Sequence, residues 1–195
     1  MTNPSQGILP WPSVEQYVNR AANGGLTCWY TGAANQTVHG TASYSINNVF
    51  ARPVVLPGGI IDTVAFEVTT LAAGVSRCGI YTNTSENLLY PSNLLVDGGE
   101  QDVSTTGVKS TAALSIAVSP GLYWLVYTCG TNAATIRTLP VGAQNHIGGI
   151  PTTMGANLYG VVTLSRAYAA LPSVFTAGGT ISSLAGPLVA VHYSA

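Results

Sequence analysis

Charge is what this sequence has least of. Only 7% of its 195 residues are Asp, Glu, Lys or Arg, where an ordinary soluble protein has roughly 25%. The surface is therefore built from Ser, Thr, Asn, Gly and backbone. A formal net charge of -1 leaves little repulsion to keep copies apart, so much of that surface is expected to be covered by partners. The basic residues Arg20, Arg52, Arg77, Lys109, Arg137 and Arg166 are scattered, and no basic patch is available to neutralise phosphates, which argues against a nucleic-acid partner. No apolar run approaches the roughly 18 residues of a membrane-spanning helix. The opening MTNPSQGILPWPS lacks a basic region followed by an apolar core, so neither a signal peptide nor export by the usual route is expected.

Reactive chemistry is equally sparse. Cys28, Cys78 and Cys129 are an odd number, and none has metal-ligand spacing to another or to a histidine. Cys78 and Cys129 fall inside apolar strand patterns, the setting of a small buried hydrophobe, and all three are expected to be free thiols. His39, His146 and His192 are far apart in the chain. Catalytic triads assemble in space, yet no nucleophile elbow or similar local signature is present, and His192, alternating with Val191 and Tyr193, reads as structural. Asp97, Glu100 and Asp102 with Gly98 and Gly99 form the one acidic cluster, with too few oxygen ligands in too open a loop for calcium, so a solvated turn is expected. The reading is of a protein without cofactor, metal or catalytic site.

What is present is β-structure organised around residues 103–129. Leu114, Ile116 and Val118 alternate with Ala113, Ser115 and Ala117, the period of a strand. Ser119-Pro120-Gly121 suits a type II reversal, with positive φ at the glycine. Leu122, Trp124 and Val126 then alternate with Tyr123, Leu125 and Tyr127, so the second strand is apolar on both faces and should be covered on both. These two strands read as the central hairpin of a sandwich. Residues 42–56 predict a strand bent near its middle, with Pro53 suited to an edge or bulge. Pro57-Gly58-Gly59 is a turn. Residues 60–70 show the cleanest alternation, with Val64, Phe66 and Val68 on one face. Residues 75–82 and 94–97 are further strands, and 83–93 reads as a loop around Tyr90-Pro91. From 130 to 186 the chain is rich in Gly, Ala, Thr and Pro, with 158–164 its best strand, and 188–193 closes the domain. The pattern predicts an all-β fold: an antiparallel, jelly-roll-like β-sandwich of about eight strands over residues 41–195.

Residues 1–40 differ. Pro4, Pro10 and Pro12 break the opening, and residues 13–20 offer one short helix in which Ser13 and Gln16 form a capping box. Two turns of helix do not stand alone in water. Trp11, Tyr17, Trp29 and Tyr30 supply surface for docking, either back onto the domain or onto a partner, and the segment is read as an attachment element.

The stretches VFARPVVLPGGIIDTVAFEVTTLAAGVSRCGIYTNT, LLVDGGEQDVSTTGVKSTAALSI and SPGLYWLVY, within residues 43–128, resemble in order and spacing a β-sandwich module of bacteriophage tail-fibre and other virion-surface proteins. The resemblance implies a virion structural protein assembled in the host cytoplasm, a short tail fibre or adsorption appendage that contacts the host surface. The alternatives are a capsid decoration protein and, third, a carbohydrate-binding module of a cellular protein. Sandwiches of this resemblance usually cluster about a threefold axis, so a homotrimer is expected, with Tyr123, Leu125 and Tyr127 as an apolar outer face at the contact. Tyr90, Tyr159 and Tyr168, in the loops around residue 90 and from 139 to 186, are candidates for stacking on a host-surface glycan.

Overall fold

The computed structural model describes residues 39–85, 88–111, 113–139 and 160–194. The short helix expected at 13–20 and the attachment segment around it lie outside the described residues. Fourteen strands run through the described chain: β1 (Gly40–Ser43), β2 (Asn48–Leu56), β3 (Gly59–Thr70), β4 (Val75–Ser85), β5 (Leu88–Asp97), β6 (Gln101–Asp102), β7 (Gly107–Ser110), β8 (Ile116–Val118), β9 (Gly121–Cys129), β10 (Thr135–Leu139), β11 (Val161–Ser165), β12 (Thr180–Ser182), β13 (Gly186–Pro187) and β14 (Val189–Tyr193). They form two seven-stranded antiparallel sheets packed as a sandwich. The count exceeds the expected eight because β6, β7, β8, β12 and β13 are two to four residues long, too short for alternation to register.

The first sheet is ordered β1-β10-β3-β14, with β13 joined to β10 and β7 and β8 joined to β3. β3 is its long central strand: Phe66 lies opposite both Val189 and Lys109, and Ile61 opposite both Tyr193 and Ile116. β14 therefore runs along one edge of β3 while β7 and β8 share the other. The second sheet is ordered β12-β11-β2-β9-β4-β5, with β6 on β4. In it β9 is flanked by β2 and β4 over most of its length. Pro53 pairs across to Trp124 of β9, and β11 reaches only to Ala51 on the other edge of β2, so the missing N–H of proline is tolerated there.

Three local expectations are corrected. The strands on either side of Ser119-Pro120 do not form a hairpin: β8 pairs with β3 in the first sheet and β9 lies in the second. The corner carries the chain from one sheet to the other, and Gly121 does not take the positive φ that a type II reversal needs. It sits beside a second corner, since a Cβ on Gly58 would lie 2.8 Å from Pro120 Cδ. The bend expected within 42–56 is likewise a change of sheet, made at Asn47 with φ 57°. The loop expected over 83–93 belongs to the long β4–β5 hairpin, whose register shifts repeatedly between Ile80 and Ser85. Bulges break the apolar period and hide such strands from a periodicity argument.

The main core lies between the sheets. β2 contributes Phe50, Val54 and Leu56, β3 contributes Val64, Phe66 and Val68, β9 contributes Leu125, Tyr127 and Cys129, and β14 contributes Val189, Val191 and Tyr193. Arg52, in phase with Phe50 and Val54, is completely buried and donates from Nη2 to the carbonyl of Val189 at 3.2 Å, linking the two sheets. Tyr127 packs edge-on against Phe66, with ring centroids 5.2 Å apart, and shares a 2.9 Å hydrogen bond with the Ser76 hydroxyl.

The described cysteines, Cys78 and Cys129, are buried free thiols. Burial pushes their pKa from the ordinary 9.0 up to about 12 and about 11 respectively. Burial also raises the phenols of Tyr44, Tyr81 and Tyr127 well above their ordinary 10.0. These groups stay neutral in the fold where the unfolded chain ionises them, so their stabilisation is complete below the unfolded pKa and is lost as pH rises toward the folded one. Melting temperature is expected to hold to about pH 9 and then fall, each thiol contributing roughly 1.4 kcal/mol per pH unit above its unfolded pKa. A melting temperature unchanged to about pH 11 would contradict this burial.

Candidate functional site

The outer face of the second sheet is apolar and is covered by the chain itself. Val49 and Ala51 of β2, Tyr81 of β4, Trp124 and Val126 of β9, and Val162 and Leu164 of β11 form a second hydrophobic cluster with Leu171 and Phe175. The last two belong to residues 166–179, which cross this face as a strap. Gly79 makes the crossing possible, because a Cβ there would meet the backbone carbonyl of Val96 and lie 2.5 Å from Leu171 Cδ1.

The strap is fastened along its length by polar contacts. Leu171 N–H donates to Asp97 Oδ2 at 3.0 Å, and the same carboxylate takes both oxygens to Arg77 Nη1 at 3.1 and 3.2 Å. Tyr81 O–H donates to the carbonyl of Pro172 at 2.7 Å. Leu94 N–H donates to the carbonyl of Ser173, and Phe175 N–H to that of Ser92, both at 2.8 Å, so residues 173–175 run along the edge of β5. Arg166 N–H and Tyr168 N–H donate to the backbone carbonyl and the side-chain oxygen of Asn47 at 2.9 and 3.2 Å.

Two receptor candidates take part in this fastening. Tyr90 stands edge-on to Phe175, donates to the carbonyl of Thr176 and accepts from Gly179 N–H, both at 2.9 Å. It is half-buried, with part of its ring at the surface. Tyr168 lies under the Arg77 guanidinium, 5.8 Å from ring centroid to Cζ. Tyr159 and the attachment candidates Trp11, Tyr17, Trp29 and Tyr30 lie outside the described residues.

The expected outer face of Tyr123, Leu125 and Tyr127 is corrected. Leu125 and Tyr127 are fully buried in the main core and Tyr123 packs against it half-buried, its hydroxyl donating to the carbonyl of Ser119 at 2.9 Å. The opposite face of β9 looks outward, and there the strap covers Trp124 and Val126. Leu125 and Tyr127 are therefore packing within one chain, while Tyr123 keeps part of its side chain at the surface.

The acidic cluster is more than a solvated turn. Asp97 holds Arg77, the strap and the Gly99 N–H at 3.0 Å, Glu100 lies 3.4 Å from Arg77 Nη2, and Asp102 caps Ser104. His192, 7% exposed on β14, shares a short hydrogen bond between its Nδ1 and Asp62 Oδ1, and Thr63 O–H donates to the same oxygen at 3.0 Å. This pair ties β14 to β3, a structural role that alternation along the last strand had suggested and whose carboxylate partner it had not. Among the described residues no group of three or more His, Cys, Asp or Glu is placed to hold a metal.

On the outer face of the first sheet, Ala65, Phe66 and Glu67 of β3, Val108 of β7, and Leu188 and Ala190 beside or on β14 line an apolar groove of about 270 Å³ with His39 at its rim. Val108 is 57% exposed. Glu67 is held by Arg137 through a bidentate ion pair at 3.0 and 3.1 Å, which draws its carboxyl below the usual range. No spacing in the sequence announced this groove, because its walls come from three separate strands. No model of a known protein family matches the chain, and no curated protein matches it.

The strap generates a direct test. Gly79→Ala is expected to lower the melting temperature and cost about 1–3 kcal/mol by overpacking. Gly121→Ala, whose Cβ would meet nothing nearer than Tyr123 Cε2 at 3.8 Å, is expected to be near neutral. Equal stability of the two variants in denaturant titrations would contradict the packing described.

Proposed function

We propose that the protein is a structural component of a bacteriophage virion, a short tail fibre or adsorption appendage that meets the host surface, and that it has no enzymatic activity. The observation that carries the reading is where the resembling stretches fall. The first covers β2, β3 and β4, the second runs from the end of β5 through β7 toward β8, and SPGLYWLVY makes the corner and β9. They trace consecutive pieces of one sandwich framework, which supports reading the three stretches together as one module. The changes of sheet at β1–β2, β2–β3 and β8–β9 support a jelly-roll-like connectivity within that framework. The low charge fits a surface that works inside an assembly.

In this reading residues 1–40 attach the protein to other virion proteins, the particle assembles in the host cytoplasm, and the unit is a homotrimer whose contact uses residues other than Leu125 and Tyr127. Tyr90 offers the exposed part of its ring, among Thr84, Thr176 and the backbone of the strap, for stacking on a surface glycan. Quantitative mass spectrometry of purified virions is expected to find the protein at a few tens of copies or fewer per particle. Copies in the hundreds would assign it to capsid decoration instead, and its absence from virions would overturn both.

A further inference from the structure

The two outer faces of the sandwich are treated differently. The second sheet is roofed by its own strap, while the first presents an apolar groove with Val108 standing 57% exposed at its wall. The rim carries little free charge: Glu67 is neutralised by Arg137 in a bidentate pair, and the one other ionisable rim group is His39. A charged ligand finds there only a histidine and a carboxylate that is already paired, which favours a neutral apolar occupant.

The chain itself enters the described domain at this groove, because His39, on its rim, is the residue that follows the N-terminal 38. Residues 21–38 contain no Asp, Glu, Lys or Arg and carry Leu26, Trp29, Tyr30 and Val38. Tyr30 and Trp29 stand nine and ten residues before His39, a tether that extends to roughly 30 Å at about 3.3 Å per residue and is long enough to double back over the groove. A segment tethered this closely is present at an effective concentration on the order of millimolar, so even a weak contact is occupied ahead of any free partner.

We propose that the groove on the first sheet is the seat of the chain's own N-terminal segment, with the Trp29–Tyr30 pair packing between Val108 and Leu188. Seating these two aromatics fixes the root of the segment on the sandwich and leaves Trp11 and Tyr17, further out, free for another protein. The inference rests on groove, charge and tether, and it stands whether or not the protein belongs to a virion.

The test uses the full chain. Chymotrypsin cleaves after Trp and Tyr, and the rate at each bond is read by mass spectrometry for the native protein and for Val108→Arg, which places a charge on an already exposed position. Cleavage after Trp29 and Tyr30 is expected to be slow in the native protein and to rise about tenfold in the variant as the tethered contact is lost. Cleavage after Tyr17 should be the same in both; the Trp11–Pro12 bond is not a chymotrypsin site. Equal cleavage after Trp29 and Tyr30 in the two proteins would overturn the proposal, and so would protection that appears only as protein concentration is raised, since that would seat the segment on a second copy. A second measurement needs no groove variant: in Trp11→Phe, acrylamide should quench neither Trp29 nor the buried Trp124, and a freely quenched component would overturn the seating.

Discussion

A strand that is apolar on both faces has to be covered on both faces, and β9 sets that requirement for the whole molecule. Leu125, Tyr127 and Cys129 fill the space between the sheets while Trp124 and Val126 point the other way. An antiparallel sheet ordinarily leaves one face to solvent and keeps polar residues there. Here the outward face is as apolar as the inward one, so a third layer has to form. The chain supplies it from residues 166–179.

That layer has no regular hydrogen-bond ladder of its own, so its backbone must be satisfied by what lies beneath it. Asp97, Tyr81, Tyr90 and Asn47 do this one contact at a time, and the edge of β5 accepts residues 173–175 almost as another strand. Covering β5 in this way also removes a free edge that would otherwise invite pairing with other chains. Aromatic residues that look suited to recognition in the linear sequence are thereby drawn into packing. Tyr168 is placed against Arg77, and Tyr90 retains only part of its ring for the surface. The first sheet has no equivalent roof among the described residues, and its outer face carries an open apolar groove.

The parts of the fold legible in the sequence are those where one residue in two is buried without interruption. The strand at Val64, Phe66 and Val68 in β3 and the doubly apolar character of β9 are legible because alternation survives there. Proline and glycine were read as turns, yet at Ser119-Pro120 and at Pro57-Gly58 they make corners between sheets. Local turn chemistry says that the chain changes direction and not which sheet it joins. The extension of the β4–β5 hairpin through residues 83–93 is hidden because its bulges shift the period. The strap was illegible for a different reason: Leu171 and Phe175 are isolated apolar residues in a Gly/Ala/Pro-rich stretch, and only contact with Tyr81 and Trp124 gives them meaning. Leu125 and Tyr127 were assigned to the outside because periodicity separates two faces without saying which of them is inner.

The dependence of the fold on a doubly covered β9 is tested most directly by native-state hydrogen exchange resolved to single amides. The account predicts that Leu125, Val126 and Tyr127 exchange only through global unfolding, and that the Leu171 and Phe175 amides, bonded to Asp97 and Ser92, are protected nearly as well. Exchange of Leu171 and Phe175 at the rate of a free chain, with β9 still fully protected, would show that the sandwich stands without its third layer and would contradict the account.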